Sequence, residues 1–252
     1  LYQELREADQ RKDEFLATLA HELRNPLAPI RNGLQVLRLA GSNGETVLEA
    51  RSMMERQLNQ MVRLVDDLLD VSRVMSGKVA LSLEPLDLNE SARHALAALR
   101  AAGRGEKHAI RHDGSPAHVL GDRTRIEQVI TNLLVNAVNY TPAGGRIHVR
   151  VEASGNQVVL TVTDTGCGIA PEALPQVFDL FYQSGQETHR STGGLGIGLT
   201  LLKRLVDIHG GDVRVDSGGI GRGTRVTVRL PGIHARLPRG LAVPSRRGRR
   251  SP

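Results

Sequence analysis

Apolar residues at the start of the chain fall at steps of three and four. Leu16, Leu19, Leu23, Leu27, Ile30, Leu34 and Leu37 form one such seam, the pattern of a helix packed along its length. After the polar break GSNGE, the residues Met54, Leu58, Met61, Val65 and Leu68 repeat it. Two long helices joined by a short turn make an antiparallel hairpin. A lone hairpin cannot hide two seams, so dimerisation into a four-helix bundle is expected; the alternative is that the hairpin packs on the rest of its own chain. From SGKVALSLEPLDLNE onward the pattern changes to short alternating segments mixed with helices. It predicts strands at 78–84, 107–112, 117–120, 145–153, 157–164, 212–216 and 223–230, and helices at 87–101, 122–139 and 197–209. The expected fold class is therefore α plus α+β: a helical hairpin (1–77) followed by a sandwich (78–232) in which helices cover one face of a sheet.

Composition narrows this picture. The chain has 252 residues, enough to bury a core without metal or disulfide support. It is 2% aromatic with no tryptophan, which argues against a surface that stacks bases. The single cysteine, Cys167, excludes an internal disulfide and a cysteine-rich zinc site, and points to a reducing compartment. The net charge of +6 hints at nucleic acid until it is located. Segment 233–252 holds six arginines and no acid, and without them the 33 basic residues become 27, equal to the 27 acids. The folded part is balanced, no nucleic-acid partner is expected, and the Pro, Gly and Arg tail reads as disordered. No run approaches the ~18 apolar residues of a membrane span, and no signal peptide opens the chain. The chain starts without Met inside a helical pattern, so it reads as part of a longer protein, with a sensor domain, and any membrane contact, in an upstream region.

Three places carry candidate chemistry. In the first helix, His21 falls off the apolar seam, Asn25 shares its face one turn on, and Glu22 lies about 100° round the cylinder. Pro26 cannot donate to the carbonyl of Glu22, so the backbone is expected to bend or loosen there. In DRTRIEQVITNLLVNAVNYT, residues Ile126, Val129, Ile130, Leu133, Leu134 and Ala137 mark the buried side of a helix, while Asn132 and Asn136 share another face. Asparagine is a mediocre helix former, and its carboxamide oxygen suits Mg2+ held mainly by phosphate and water; an ordinary polar face is the plainer explanation. TVTDTGCGIAPE runs a strand into Asp164 and then into Gly166 and Gly168, where a backbone without Cβ can approach a flat ligand. TGGLGIGLTLLKRL places Gly193, Gly194, Gly196 and Gly198 at the mouth of a helix, whose free N–H groups can cradle phosphate. It is not a Walker A loop, because no Gly-Lys-Ser/Thr follows.

Taken in order, these motifs resemble the transmitter region of sensor histidine kinases of bacterial two-component systems, with an ATP-binding domain of the GHKL (Bergerat-type) fold. HELRNP resembles the phosphoacceptor box, NLLVNAVNYTP the N box, DTGCGI the first glycine box, FDLF at 178–181 the F box, and GGLGIGL the second glycine box. The resemblance spans residues 10–232. It implies that His21 takes the γ-phosphoryl group of ATP, that Glu22 is the acid/base, and that Asn25 orients a water against a phosphorylated regulator. It also implies Asn136 as the Mg2+ ligand with Asn132 in support, Asp164 as partner of the adenine amino group, and Gly166 and Gly168 beneath the nucleotide. Tyr140 would line the base pocket, and Gly194, Gly196 and Gly198 would follow the phosphates under a lid at 182–195.

One position departs from the pattern. Family members often carry a basic residue where Asn139 stands, so a phosphate contact would be missing or come from Arg190 or Lys203. The implied partners are a second copy of the chain and a response-regulator receiver domain, and the implied location is cytoplasmic. Other GHKL ATPases, of the gyrase, Hsp90 or mismatch-repair kind, lack the histidine hairpin. The remaining alternative keeps the fold without kinase activity, as a phosphatase or nucleotide-regulated dimeric scaffold. The histidines at 108, 112 and 118 are suggestive of a metal, but a strand does not align residues four apart. Cys167 reads as a small packing residue rather than a redox switch.

Overall fold

The computed structural model describes residues 2–39, 44–75, 80–180, 182 and 196–233. Two long helices open it, α1 (Tyr2–Leu39) and α2 (Gly44–Met75), and they pack along one another. Gly33 of α1 allows the close approach, since a Cβ there would lie 2.7 Å from Cγ of Met54. Helix α1 runs unbroken through Pro26 and Pro29. The two prolines leave the carbonyls of Glu22 and Asn25 without their usual donors four residues on, so the loosening expected beside His21 stays inside a continuous helix.

The sandwich begins with β1 (Glu84–Asp87), not with a strand at 78–84 as the alternation suggested. Residues 76–79 lie outside the described residues, and 80–83 form no regular structure. The N–H of Ser82 donates to the carboxylate of Asp122 at 3.0 Å, a side-chain tie in place of a strand ladder. Strand β1 pairs antiparallel with β3 (His118–Gly121) as a small separate sheet. Between them lies α3 (Leu88–Ala101), capped by Asp87, which accepts the N–H of Asn89 at 2.9 Å. Leu88, Ala92, Leu96 and Leu99 form its buried stripe.

The main sheet has five strands: β2 (Ala109–Gly114), β4 (Arg146–Ser154), β5 (Gln157–Asp164), β6 (Asp212–Ser217) and β7 (Thr224–Pro231), in the order β2-β4-β5-β7-β6. The β2–β4 pair is parallel and the others are antiparallel. Alternation decides its faces. Ile147, Val149 and Val151 of β4 and Val158, Leu160 and Val162 of β5 are buried, with Val149 opposite Val162. Helix α4 (Arg123–Tyr140) covers them with the predicted Ile126, Val129, Ile130, Leu133, Leu134 and Ala137, and α5 (Gly198–Ile208) adds Leu201, Leu202 and Leu205. Each such side chain removed from water contributes about 1.5–3 kcal/mol.

The hairpin meets the sandwich mainly through α2. Leu64, 7% exposed, joins the sandwich core, and Leu19 and Leu68 pack against it. Asp70 accepts from Nη1 of Arg125 at 2.9 Å and from Nε2 of Gln128 at 2.8 Å, both on α4. No helix among the described residues is long and apolar enough to cross a membrane.

Candidate functional site

Strand β5 delivers Asp164 to the end of the sheet, 9% exposed. Its Oδ1 accepts the N–H of Gly166 at 2.8 Å and that of Thr224 at 3.2 Å. Oδ2 accepts no hydrogen bond from any described residue. Burial pushes the carboxyl above its ordinary value, and the two backbone donors only partly oppose that. A buried carboxylate with one oxygen unpartnered among the described residues is suited to a ligand that brings its own N–H.

The glycines after Asp164 have a local structural role. A Cβ on Gly166 would run into the carbonyl of Tyr140, and one on Gly168, at φ 67°, into the carbonyl of Gly219. Protein backbone thus fills the space where either Cβ would stand. The N–H of Cys167 donates to the Tyr140 carbonyl at 3.0 Å, Gly221 donates to the Cys167 carbonyl at 2.6 Å, and Gly223 to that of Gly166 at 3.2 Å. The turn after Asp164 is thus threaded between the end of α4 and the β6–β7 turn. That second turn was missed by sequence reasoning. Its signal was SGGIGRGT, where Gly219, Gly221 and Gly223 all adopt positive φ, and it supplies the Thr224 donor to Asp164.

Helix α4 contributes the opposite wall. Asn132, Asn136 and Asn139 are all half-buried. Asn132 reaches the Gly198 carbonyl with its Nδ2 at 3.4 Å, which brings the asparagine face to the start of α5. The carboxamide of Asn136 bonds to no described residue. Tyr140, next to the Asp164 turn, keeps 41% of its surface exposed, yet the protein crowded round its phenol, helped by the Cys167 sulfur, pushes its pKa up. Burial likewise raises that of the Cys167 thiol, with Asp164 adding to it, so an unreactive packing role fits.

Gly196, at φ 68°, and Gly198 stand at the mouth of α5. Gly193, Gly194, Phe181, Arg190 and the lid expected at 182–195, apart from Tyr182, lie outside the described residues. Lys203, a candidate replacement for the missing basic contact, instead holds its ammonium 5.5 Å from the ring centroid of Phe178. No cluster of three or more His, Cys, Asp or Glu able to hold a metal occurs among the described residues. His108 Nε2 lies 2.9 Å from the Thr141 carbonyl, His112 is half-buried beside Arg93, and His118 sits on β3.

Comparison with known proteins meets this geometry at both ends of the chain. Residues 121–233 match the family model of the histidine kinase-, DNA gyrase B-, and HSP90-like ATPases, and residues 11–77 that of the His Kinase A (phospho-acceptor) domain. The mycobacterial sensor histidine kinase MprB is 31% identical, with a TM-score of 0.53 over 60% of this chain and 97% of that one. The chain belongs to the sensor histidine kinases. The circadian input-output histidine kinase CikA of Synechococcus elongatus is 35% identical over 89% of the chain and 30% of its own length. The full-length kinase ShkA, in a crystal structure with AMPPNP, is 31% identical with a TM-score of 0.62, covering 88% of this chain and 46% of that one. The chain spans less than half the length of such curated relatives.

In this chain the HELRNP motif lies in α1, on the hairpin and not on the sandwich. The side chains of His21 and Glu22 lie outside the described residues. Asn25 is exposed and Pro26 buried, so the motif turns its amide to solvent and its proline to the protein.

Proposed function

We propose that this chain is the autokinase portion of a two-component sensor, transferring the γ-phosphoryl group of ATP to His21 and from there to an aspartate of a response-regulator receiver domain. The observation that carries the nucleotide half is Asp164, buried, tied through Oδ1 and open at Oδ2, at the edge of a site whose other wall is the Asn132–Asn136 face. Adenine offers an exocyclic N–H₂ that matches the open oxygen.

The proposed roles are those that the family resemblance implies, and residue type supports them. Asp164 accepts from the adenine amino group, Tyr140 lines the base, and Gly166 and Gly168 form the turn beneath it. Gly194, Gly196 and Gly198 follow the phosphates, for which the free amides of the α5 mouth are suited. Asn136, with Asn132 in support, would hold Mg2+; one neutral oxygen donor and no carboxylate cluster among the described residues fits a cation kept mainly by phosphate oxygens and water. When bound, that ion would neutralise phosphate charge. His21 is the nucleophile, and Glu22 takes the proton from the ring nitrogen that does not attack. The exposed Asn25 holds a water in line with a docked phosphoaspartate, giving phosphatase activity. Asn139 supplies no basic phosphate contact, and Arg190, a candidate replacement, lies outside the described residues; this favours the rival of a kinase-inactive scaffold just enough to require a direct test.

The working unit is a homodimer. The boundaries proposed are 1–77 for dimerisation and phosphotransfer, 78–232 for catalysis and 233–252 for a basic tail, of which residues from 234 lie outside the described residues. The proposed location of the reaction is the cytoplasm, where ATP is supplied and a free cysteine such as Cys167 stays reduced. The test is peptide mapping after incubation with ATP and Mg2+. Phosphohistidine at position 21, labile to acid and stable to base, supports the autokinase; a protein that binds ATP and gains no phosphate supports the scaffold.

A further inference from the structure

Helix α5 starts without the side-chain cap that α3 and α4 both have. Asp87 and Asp122 accept first-turn amides of α3 and α4, whereas the cap position of α5 is Ile197, which makes no such bond. First-turn N–H groups have no acceptor within their own helix, and a capping oxygen would compete with phosphate for them. An uncapped first turn frays unless something else holds it.

That support comes from outside the helix. Thr200 is the third residue of α5 and 8% exposed. A helical threonine commonly bonds back to a carbonyl in its own preceding turn. Here the hydroxyl points away and is shared between the carbonyls of Phe178 at 2.9 Å and Asp179 at 3.1 Å. One turn on, Lys203 lays its ammonium over the Phe178 ring at 5.5 Å. Phe178 and Leu180 in turn pack against the sandwich core, so the 178–180 turn is a fixed body.

We propose that Thr200 is a positioning residue for the phosphate end of the nucleotide site. Its hydroxyl braces the first turn of α5 against the 178–179 turn, which keeps the amides of Gly198 and Leu199 fixed and also uncapped. The inference rests on the nucleotide reading of the site and adds to it a residue that makes no contact with the nucleotide itself. The adenine end is built separately, from Asp164 and the Gly166 turn, so the brace acts on ligands with phosphate and not on the base.

That asymmetry is the test. Dissociation constants for ADP with Mg2+ and for adenosine are measured by NMR titration on the full chain and its variants. Thr200→Val keeps the shape and removes the hydroxyl; it should weaken ADP about five- to tenfold, the scale of one lost hydrogen bond, and leave adenosine within about twofold. Thr200→Ser should restore ADP binding, and Lys203→Met should weaken ADP about two- to threefold with adenosine unchanged. Equal losses for both ligands, wild-type ADP affinity in Thr200→Val, or a Ser variant no better than Val would each overturn the proposal. If Thr200→Val does not fold, Lys203→Met decides by the same ADP-to-adenosine ratio. Failure of the nucleotide reading looks different, because the wild type would then bind neither ligand.

Discussion

In the sandwich, Val149, Leu160, Val162, Leu202 and Val228 are at most 2% exposed, whereas in the hairpin Leu34, Leu58 and Val62 keep 51 to 55% of their surface. Both regions are equally periodic in sequence. The difference is geometric: a sheet covered by two helices closes its core within one chain, while two helices side by side bury only the stripe between them. Leu64 and its neighbours show that part of the hairpin does pack on its own sandwich, as one of the two sequence expectations had it. The seam left open belongs, in the proposed homodimer, to a second copy.

The largest expected effect falls on the closed region. Leu202→Ala removes a fully buried side chain of α5 and should cost the sandwich about 2–5 kcal/mol, read by chemical denaturation. A loss below 1 kcal/mol would mean that the core is not closed as described. Leu58→Asp acts on the open region. It should weaken self-association by about 100-fold, close to 2.7 kcal/mol, and leave nucleotide affinity unchanged; sedimentation that shows an intact dimer would remove this face from the interface. A third substitution probes the contact between the two regions. Asp70 and Arg125 are 16% and 19% exposed in their side chains, so Asp70→Ala, Arg125→Ala and the double variant should reveal a coupling of about 1–2 kcal/mol. Zero coupling would leave the hairpin and sandwich held by Leu64 and its neighbours alone.

The smallest effect is a pH dependence. Asp164 has its pKa raised on folding, chiefly by burial. Ionising it in the folded protein is therefore disfavoured: the penalty is absent below the ordinary value of 3.8 and grows as pH rises through the raised one. An N–H donor from the nucleotide relieves that penalty, so affinity should increase with pH across the same window. Asp164→Asn should flatten the profile, and an unchanged slope in that variant would assign the dependence to another group.

Much of this was legible because burial and periodicity coincide. The stripe from Ile126 to Ala137 identified α4 with its inner face, and the alternation in QVVLTVTD identified β5 ending at Asp164. What escaped depends on contacts between distant segments. Ser82 gives its N–H to a side chain 40 residues away, so the apolar alternation before Glu84 did not become a strand. Gly166 and Gly168 were legible as a turn, but the Tyr140 carbonyl and the turn around Gly219 that occupy their Cβ positions were not. Thr200 is an ordinary helix residue in sequence, and only the tertiary fold sets its hydroxyl against residues 178 and 179.

The division of labour between an acceptor hairpin and a nucleotide-binding sandwich is tested most directly by labelling with γ-phosphate-labelled ATP. His21→Gln and Asp164→Asn are assayed beside the wild type, with ATP affinity determined in parallel. The account predicts acid-labile label on the wild type alone, ATP affinity retained in His21→Gln, and ATP affinity weakened at least tenfold in Asp164→Asn. Label on His21→Gln, or loss of ATP binding in that variant, would contradict the account.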